Sequence, residues 1–373
     1  MIYLDHAATS PLRPEAAEAW QRAQRPGNAS AVHAAGRAAR AILEDAREKI
    51  AGLMAVDPAE VIFTSGGTEA DNLAVAGLAS AGPLIISAVE HPAVREAAAL
   101  AKARGAQIIT APVTSQGTVD LPALEELIET RRPAGISVMA VNNETGIIQP
   151  LEQIHELAGE GRGAEATGGR IWLHSDAVQG AGRIELPDGF AYSITGHKLG
   201  APVGTGALLC ARDFPLTPLE AGGGQERGIR SGTLNVAGAA ALAAALEAHL
   251  VEREEASAAM ERQREQIFAA CAAVGGYPSG GADAPRAAHI AHVIFPGADP
   301  EALMFALDSA GVCASAGSAC SAGVYRPSAA LVAMGEEEAC AIRFSLAPQT
   351  TDDEVARAVD VIGRCVELAR GVA

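Results

Sequence analysis

Two short segments near the middle of this 373-residue chain contain the residue types needed to activate an amino acid. His174-Ser175-Asp176-Ala177-Val178-Gln179 follows the apolar run Ile171-Trp172-Leu173, and Thr195-Gly196-His197-Lys198 follows Ala191-Tyr192-Ser193-Ile194. Both runs read as strands, and open α/β sheets place ligands in the crevice beyond strand ends. Pyridoxal phosphate (PLP) chemistry needs a lysine that can form a Schiff base and an acid that keeps a pyridine nitrogen protonated. Asp176 and Lys198 fit those two roles. Taken alone, such a pair is more often merely solvated or ion-paired, so the neighbouring segments must decide.

Thr64-Ser65-Gly66-Gly67-Thr68-Glu69-Ala70-Asp71 follows a strand pattern and opens a helical one. Glycines let backbone approach an anion, and the free amides and dipole of a helix start favour negative charge. A Gly-Gly turn alone is only a tight connection; beside Thr195 and His197 it becomes a phosphate cup holding Gly67 and Thr68. His91, in Val89-Glu90-His91-Pro92-Ala93, comes soon after the strand Leu84-Ile85-Ile86. Its imidazole could stack on a pyridine ring and handle protons, or serve only as a hydrogen-bonding group. Asn142-Asn143-Glu144-Thr145-Gly146 offers amides at the same edge or forms a polar turn. Gln179 could donate to the cofactor's phenolic oxygen or cap a helix. The glycine-rich segment from Gly222 to Thr233 is too irregular for a hairpin and could carry amides and Thr233 to a phosphate across a subunit boundary, or be a surface loop.

A run of ten small residues, Ala314 to Gly323, surrounds Cys320. Such a run has little with which to anchor itself in a core, so a mobile loop presenting one thiol is expected. Cys210, Cys271, Cys313, Cys340 and Cys365 read as inert buried thiols. No two of the six cysteines form a Cys-x-x-Cys pair, so no disulfide framework, zinc cluster or other metal site is expected. In Ile342-Arg343-Phe344-Ser345-Leu346 the alternation points the guanidinium to the polar side. It could grip a substrate α-carboxylate or make a surface ion pair.

The elements that must position these groups alternate between helical and extended patterns. A helix from about Ala34 to Met54 keeps Ala39, Leu43, Ala46, Ile50 and Leu53 on one face, and Asp57-Pro58-Ala59-Glu60 supplies capping chemistry before the strand Val61-Ile62-Phe63-Thr64. Apolar runs at 84–86, 107–110, 136–141, 171–173, 191–194 and 207–210, separated mostly by helical stretches, give the pattern of a mainly parallel sheet with helices on both faces. After the alanine-rich helix from Ala237 to Leu246, the charged stretch Val251 to Glu265 leads into a second domain with strands near 289–295 and 341–346 and a closing helix from about Asp352 to Ala369. Hydrophobic residues at 49% and charged residues at 20% fit an ordinary globular enzyme rather than a disordered or fibrous chain. The formal net charge of −17 argues against nucleic acid or an anionic membrane as the main partner. No export signal is visible at Met1 and the alanine-rich run is too short to span a bilayer, so a cytoplasmic protein with reduced thiols is expected.

Together the segments resemble the cysteine desulfurases of the NifS/IscS group, in the class V aminotransferase branch of PLP enzymes. In chain order they are Ser65-Gly66-Gly67-Thr68-Glu69, Glu90-His91, Asn142-Asn143-Glu144, Asp176 with Gln179, Gly196-His197-Lys198, Arg230-Ser231-Gly232-Thr233 and Gly317-Ser318-Ala319-Cys320. The resemblance runs from Tyr3-Leu4-Asp5-His6 to Ile342-Arg343-Phe344. It implies the aspartate aminotransferase-like fold of PLP-dependent transferases. Residues 12–255 form a large PLP-binding domain with a mainly parallel sheet; residues 1–11 and 256–373 form a smaller α+β domain carrying the Cys320 loop.

The roles it implies are Schiff-base formation for Lys198, ring stacking for His91 and contact with the pyridinium nitrogen for Asp176. Asn143 and Gln179 meet the ring and its phenolic oxygen, and Gly67, Thr68, Thr195 and His197 meet the phosphate. Thr233 reaches the phosphate from the other subunit of a homodimer. Arg343, Asn28 and Asn143 hold the substrate. The implied reaction converts L-cysteine to L-alanine with a persulfide on Cys320, whose sulfur goes to an acceptor protein for iron–sulfur cluster assembly or for thiolation of tRNA or DNA. Gly27-Asn28-Ala29-Ser30 lacks the family's proline after the asparagine, Thr195 stands where serine is common, and the longer C-terminal tail of housekeeping members has no counterpart up to Ala373. The alternatives are a class V aminotransferase or selenocysteine lyase, and a non-catalytic partner in sulfur assembly.

Overall fold

The computed structural model describes residues 1–25, 27–159, 161–316, 328–336 and 340–371. The chain opens with the short strand β1 (Ile2–Tyr3) and the helices α1 (Pro14–Ala23) and α2 (Ala34–Leu53), the second burying Ala39, Leu43, Ala46 and Ile50 as its periodicity requires. Asp57 and Glu60 form a reciprocal capping box just before β2 (Val61–Thr64). Then come α3 (Gly67–Ala81), β3 (Leu84–Ser87), α4 (Pro92–Ala103), β4 (Ile108–Ala111), α5 (Leu121–Arg131), β5 (Gly135–Ser137), α6 (Leu151–Leu157), β6 (Trp172–Asp176), β7 (Phe190–Thr195) and β8 (Gly206–Leu209).

The sheet order is β2-β8-β7-β6-β5-β3-β4, parallel from β7 through β4 and antiparallel at β7-β8 and β8-β2. Because β2 opposes β8 and β8 opposes β7, β2 runs with the parallel set. The carboxyl ends of β2, β3, β5, β6 and β7 therefore share one edge, and Thr64 and Thr195 both pair with Gly206. A side chain at Gly206 would strike Gly66, since its Cβ would lie 2.6 Å from the Gly66 Cα. β5 is shorter than the apolar run 136–141 predicts. Val138 and Ala140 still donate to the His174 and Asp176 carbonyls, but the chain is already peeling off the ladder to form the Asn142 turn.

Past the large sheet, the alanine-rich run and the charged stretch form one uninterrupted helix, α7 (Val236–Ala272). Its first half packs Leu242 and Leu246 into the core beside the large sheet, and its second half packs Met260, Ile267 and Cys271 into a separate core. After α7 come β9 (Tyr277–Pro278), β10 (Ile290–Ile294), α8 (Pro300–Ser309), β11 (Val312–Cys313), α9 (Ala329–Ala333), β12 (Ala341–Ser345) and α10 (Asp352–Ala369), of which β10, α8, β11, β12 and α10 build that second core. The sheet β12-β10-β9 is antiparallel, while β1 pairs with β11 in parallel. Ile2 and Leu4 are buried there, so the chain's first residues belong with its last hundred. Among the described residues no helix is long and apolar enough to cross a membrane.

α3 lies against the backbone at Pro215, leaving no room for a methyl at Gly77: an added Cβ would sit 1.9 Å from the Pro215 carbonyl oxygen. Gly77→Ala should therefore destabilise the protein by about 1–3 kcal/mol through overpacking. At Gly52, where an added Cβ meets nothing within 4 Å, the same change should be neutral or mildly stabilising. Equal melting temperatures for the two variants would contradict this account of how α3 is seated.

Candidate functional site

A cleft of about 440 Å³ opens at the shared sheet edge, between the two cores. Gly67, Thr68, His91, Asn143, Asp176, Gln179, Thr195, His197, Lys198 and Arg343 all line it. The strands explain the convergence, since each residue follows a strand end within a few positions or, like Arg343, lies on β12 of the facing sheet.

At one end α3 begins at Gly67 with no side chain capping it. The first amides of a helix have no partner within it, so they and the dipole favour an anion here. Gly67 must lack a side chain, because a Cβ would come 2.6 Å from the Val178 Cγ2. Thr68, Thr195 and His197 surround this end. Burial, together with the Lys198 charge, lowers the His197 pKa to about 4, so the ring is neutral.

At the centre, Asp176 is buried at the end of β6 and accepts from the Val178 amide at 2.9 Å, which fixes its carboxylate. Burial raises its pKa, while His91 and Lys198 pull it down. His91 caps α4 by accepting from the Ala93 amide on Nδ1 at 3.1 Å, so its neutral ring carries its hydrogen on Nε2. Burial also lowers the His91 pKa. One ring nitrogen of His91 and one oxygen each of Asp71 and Asp176 lie within 4.8 Å of one another. The Lys198 amine donates to the Ala7 carbonyl at 2.7 Å and to the Ala8 carbonyl. Burial, then the Arg343 and Arg183 charges, lower its pKa to about 8.

At the far end Arg343 is 4% exposed and is held by Asp5 at 2.7 Å and by the Asn143 carbonyl at 2.7 Å. Its ion pair is thus inside the cleft rather than on the surface, and its Nε has no hydrogen-bond partner among the described residues. Asn142 is the turn's scaffold: its side-chain oxygen accepts from the Glu144 and Thr145 amides while its nitrogen donates to Val89, and Asn143 faces the cleft.

Several participants were not assigned roles from sequence. Asp71 is buried one turn into α3, with one carboxylate oxygen lacking a hydrogen-bond partner among the described residues, and burial and Asp176 push its pKa well up. A polar residue on an otherwise apolar helix face, beside Ala70 and Ala74, was the available signal. Glu90 accepts from the Ser87 hydroxyl and the Met139 amide on one oxygen and titrates at about 8 because it is buried. Behind the cleft His174 bridges Ser137 and Ser193, 3.7 Å from Asp71, with a pKa of about 3. Asp5 figures in the sequence only as part of the segment where the resemblance begins, and the Ala7 and Ala8 carbonyls are backbone groups that residue type does not signal.

Two expected residues lie elsewhere within this chain. Asn28 is exposed and makes a local turn, accepting from the Ser30 amide, and Thr233 is exposed outside the cleft lining. The segment bearing Thr233 is pinned. Buried Glu226 accepts from Arg47 at 2.6 Å and from the Phe63 amide at 2.9 Å, and Arg230 grips Glu69, whose carboxylate also accepts from the Ser65 amide. Cys320 lies outside the described residues. Cys210, Cys271, Cys340 and Cys365 are buried free thiols, whereas Cys313 is only half-buried, because β11 is an edge strand paired on one side by the two residues of β1.

The donor set fits PLP. An uncapped helix start with two hydroxyls suits a phosphate, a buried carboxylate suits a protonated ring nitrogen, and a lysine with a lowered pKa suits an aldehyde. The model of the aminotransferase class-V family matches residues 2–358. An "IscS-like cysteine desulfurase" of Mycobacterium tuberculosis is 41% identical, covering 100% of this chain and 98% of that one. Among solved structures, a "NifS-like protein" superposes with a TM-score of 0.86 at 30% identity over 97% of this chain and 98% of its own. "SspA in complex with cysteine" gives 0.79 at 31% identity over 94% and 100%.

The Lys198 shift sets a pH dependence. The folded chain holds this proton less tightly than the unfolded chain does, so the group's contribution to stability grows as pH rises from about 8 towards the ordinary lysine value of about 10.4. In the cofactor-free protein an amine-reactive label, located by peptide mass spectrometry, should reach Lys198 with a midpoint near pH 8. Arg343→Gln should move that midpoint upward by removing a positive neighbour; an unmoved midpoint would refute the electrostatic coupling.

Proposed function

The chain belongs to the class V aminotransferase family, in its cysteine desulfurase branch, and we propose that this cleft converts L-cysteine to L-alanine with bound PLP and passes the sulfur through Cys320. The observation carrying the proposal is the meeting of Lys198, Asp176 and His91 beside the uncapped start of α3. PLP held there supplies an electron sink that lets the α-proton of a bound amino acid leave. Lys198 would anchor the cofactor, His91 would meet its ring and Asp176 its ring nitrogen, Asn143 and Gln179 would meet ring substituents, and Gly67, Thr68, Thr195 and His197 would hold the phosphate. A pKa of about 8 leaves a useful fraction of the Lys198 amine neutral near neutral pH, so Nζ can take and return a proton at the substrate α-carbon. Arg343 and Asn143, with Asn28, orient the α-carboxylate. The Cys320 thiolate attacks the substrate sulfur; an S–S bond forms as the carbon–sulfur bond breaks, and a proton delivered to the β-carbon completes alanine.

The proposal extends to organisation. Residues 12–255 form the cofactor domain, and residues 1–11 with 256–373 form the domain that presents Cys320. The active unit is a cytoplasmic homodimer in which Thr233 serves the partner's phosphate site, and the acceptor is a protein of iron–sulfur assembly or of tRNA or DNA thiolation. The pinning of the Thr233 segment by Glu226 and Arg230 supports the phosphate role, since a fixed and exposed hydroxyl is available to a second chain.

Incubation with L-cysteine and a reductant should yield sulfide and alanine in equal amounts. Lys198→Ala should abolish both, whereas Cys320→Ala should keep PLP binding and lose sulfide release. Sulfide production that survives Cys320→Ala would instead favour a selenocysteine lyase or transaminase. Sedimentation should find a dimer. Thr233→Ala should weaken PLP binding, and a cofactor-loaded, active monomer would remove Thr233 from the site.

A further inference from the structure

His289 is fully buried just before β10 and places Nε2 3.2 Å from the side-chain oxygen of Gln179. The other end of that carboxamide donates to the Ala7 carbonyl at 2.9 Å. A carbonyl can only accept, so the atom facing Ala7 is the amide nitrogen and the atom facing His289 is the amide oxygen. That oxygen can only accept in turn. The histidine must therefore carry its hydrogen on Nε2, and burial, reinforced by the Arg183, His249, Arg343 and Arg264 charges, keeps the ring neutral. Three segments distant in sequence thus hold one carboxamide: the amino-terminal strand segment, the turn after β6 and the start of β10.

We propose that His289 is a positioning residue that fixes the Gln179 carboxamide so that its remaining N–H is presented to an oxygen anion of the molecule bound in the cleft. The inference rests on the PLP reading above, in which that oxygen is the ring's phenolic one. Gln179 lines the cleft beside Asp176 and Lys198, and its nitrogen has two hydrogens, of which Ala7 takes one. With its oxygen tied to His289 the group cannot rotate away, so the second hydrogen stays aimed without an ordering cost when ligand arrives. Because His289 is flanked by Ala288 and Ala291 of the second core and Gln179 by Ala177 and Ala181 of the first, the contact also registers the two halves of the cleft against each other.

The test is PLP titration of cofactor-free protein, followed by the pH midpoint of the bound cofactor's visible absorption, in wild type, His289→Leu, Gln179→Leu, the double variant and His289→Gln. Glutamine places an amide donor near the former Nε2 and should restore wild-type behaviour. Loss of one oriented hydrogen bond should weaken PLP binding by about fivefold in each single variant. The double variant should be no weaker than either. An oxygen that has lost a donor holds a neighbouring proton more firmly, so the midpoint should move to higher pH in both single variants and by the same amount. If His289→Leu lowers only the melting temperature, with affinity and midpoint unchanged, the histidine is merely structural and the proposal fails. Losses that multiply in the double variant would also overturn it. If wild-type protein gains no visible absorbance with PLP, the functional reading itself falls.

Discussion

Because β2, β3, β5, β6 and β7 run in one direction, the polar groups that follow them are forced onto a single edge, and their crowding there under a second core removes their water. Desolvation is the first cause of the shifts at Lys198, Asp176, Asp71, Glu90 and His91. Each shift favours the uncharged form, as the loss of water demands. The lysine becomes a better nucleophile and proton carrier, the histidine stays a flat neutral ring, and the acids are left poised for a positive partner. A bound protonated nitrogen would supply that partner for Asp176 and restore its negative charge.

The second core meets this edge through Arg343, which the sequence points to, and through backbone carbonyls, which no motif reveals. Half-buried Asp5 pairs with buried Arg343 at the far end of the cleft, so removing the carboxylate would leave that guanidinium without its ion-pair partner. The carbonyls of Ala7 and Ala8 hold the lysine amine, and Ala7 also holds Gln179. Since Ile2 and Leu4 are packed in the second core, the position of those carbonyls is set by the packing of residues more than 250 positions away in the chain, such as Ile267 and Phe344.

Much of this was legible in the sequence, and the remainder was not for definable reasons. Strand ends followed by polar clusters located Asp176, Lys198, His91 and Asn143, because a parallel sheet makes the edge of every strand the same place. Periodicity gave α2 and α10 nearly to the residue. Asp71 escaped because it sits inside a helix, where a polar residue has no positional meaning until the helix is docked. The backbone acceptors escaped because any residue type supplies a carbonyl. The reading of Arg343 as facing a polar side was right about direction, but alternation could not tell solvent from a cleft.

The glycine-rich segment shows how the phosphate cup is braced from outside. Glu69 lies in the first turn of α3 and uses a single carboxylate to hold both the Ser65 amide and Arg230. Arg47 and the Phe63 amide then hold Glu226, two residues after the run of glycines ends at Gly224. Glu226 and Arg227 both adopt positive φ, at 45° and 60°, a conformation that costs a non-glycine residue about 1–3 kcal/mol. The buried carboxylate and its two donors supply the compensating interaction. The same strand, β2, thus feeds the cup through Ser65 and anchors the neighbouring segment through Phe63, so displacement of either would be felt by the other.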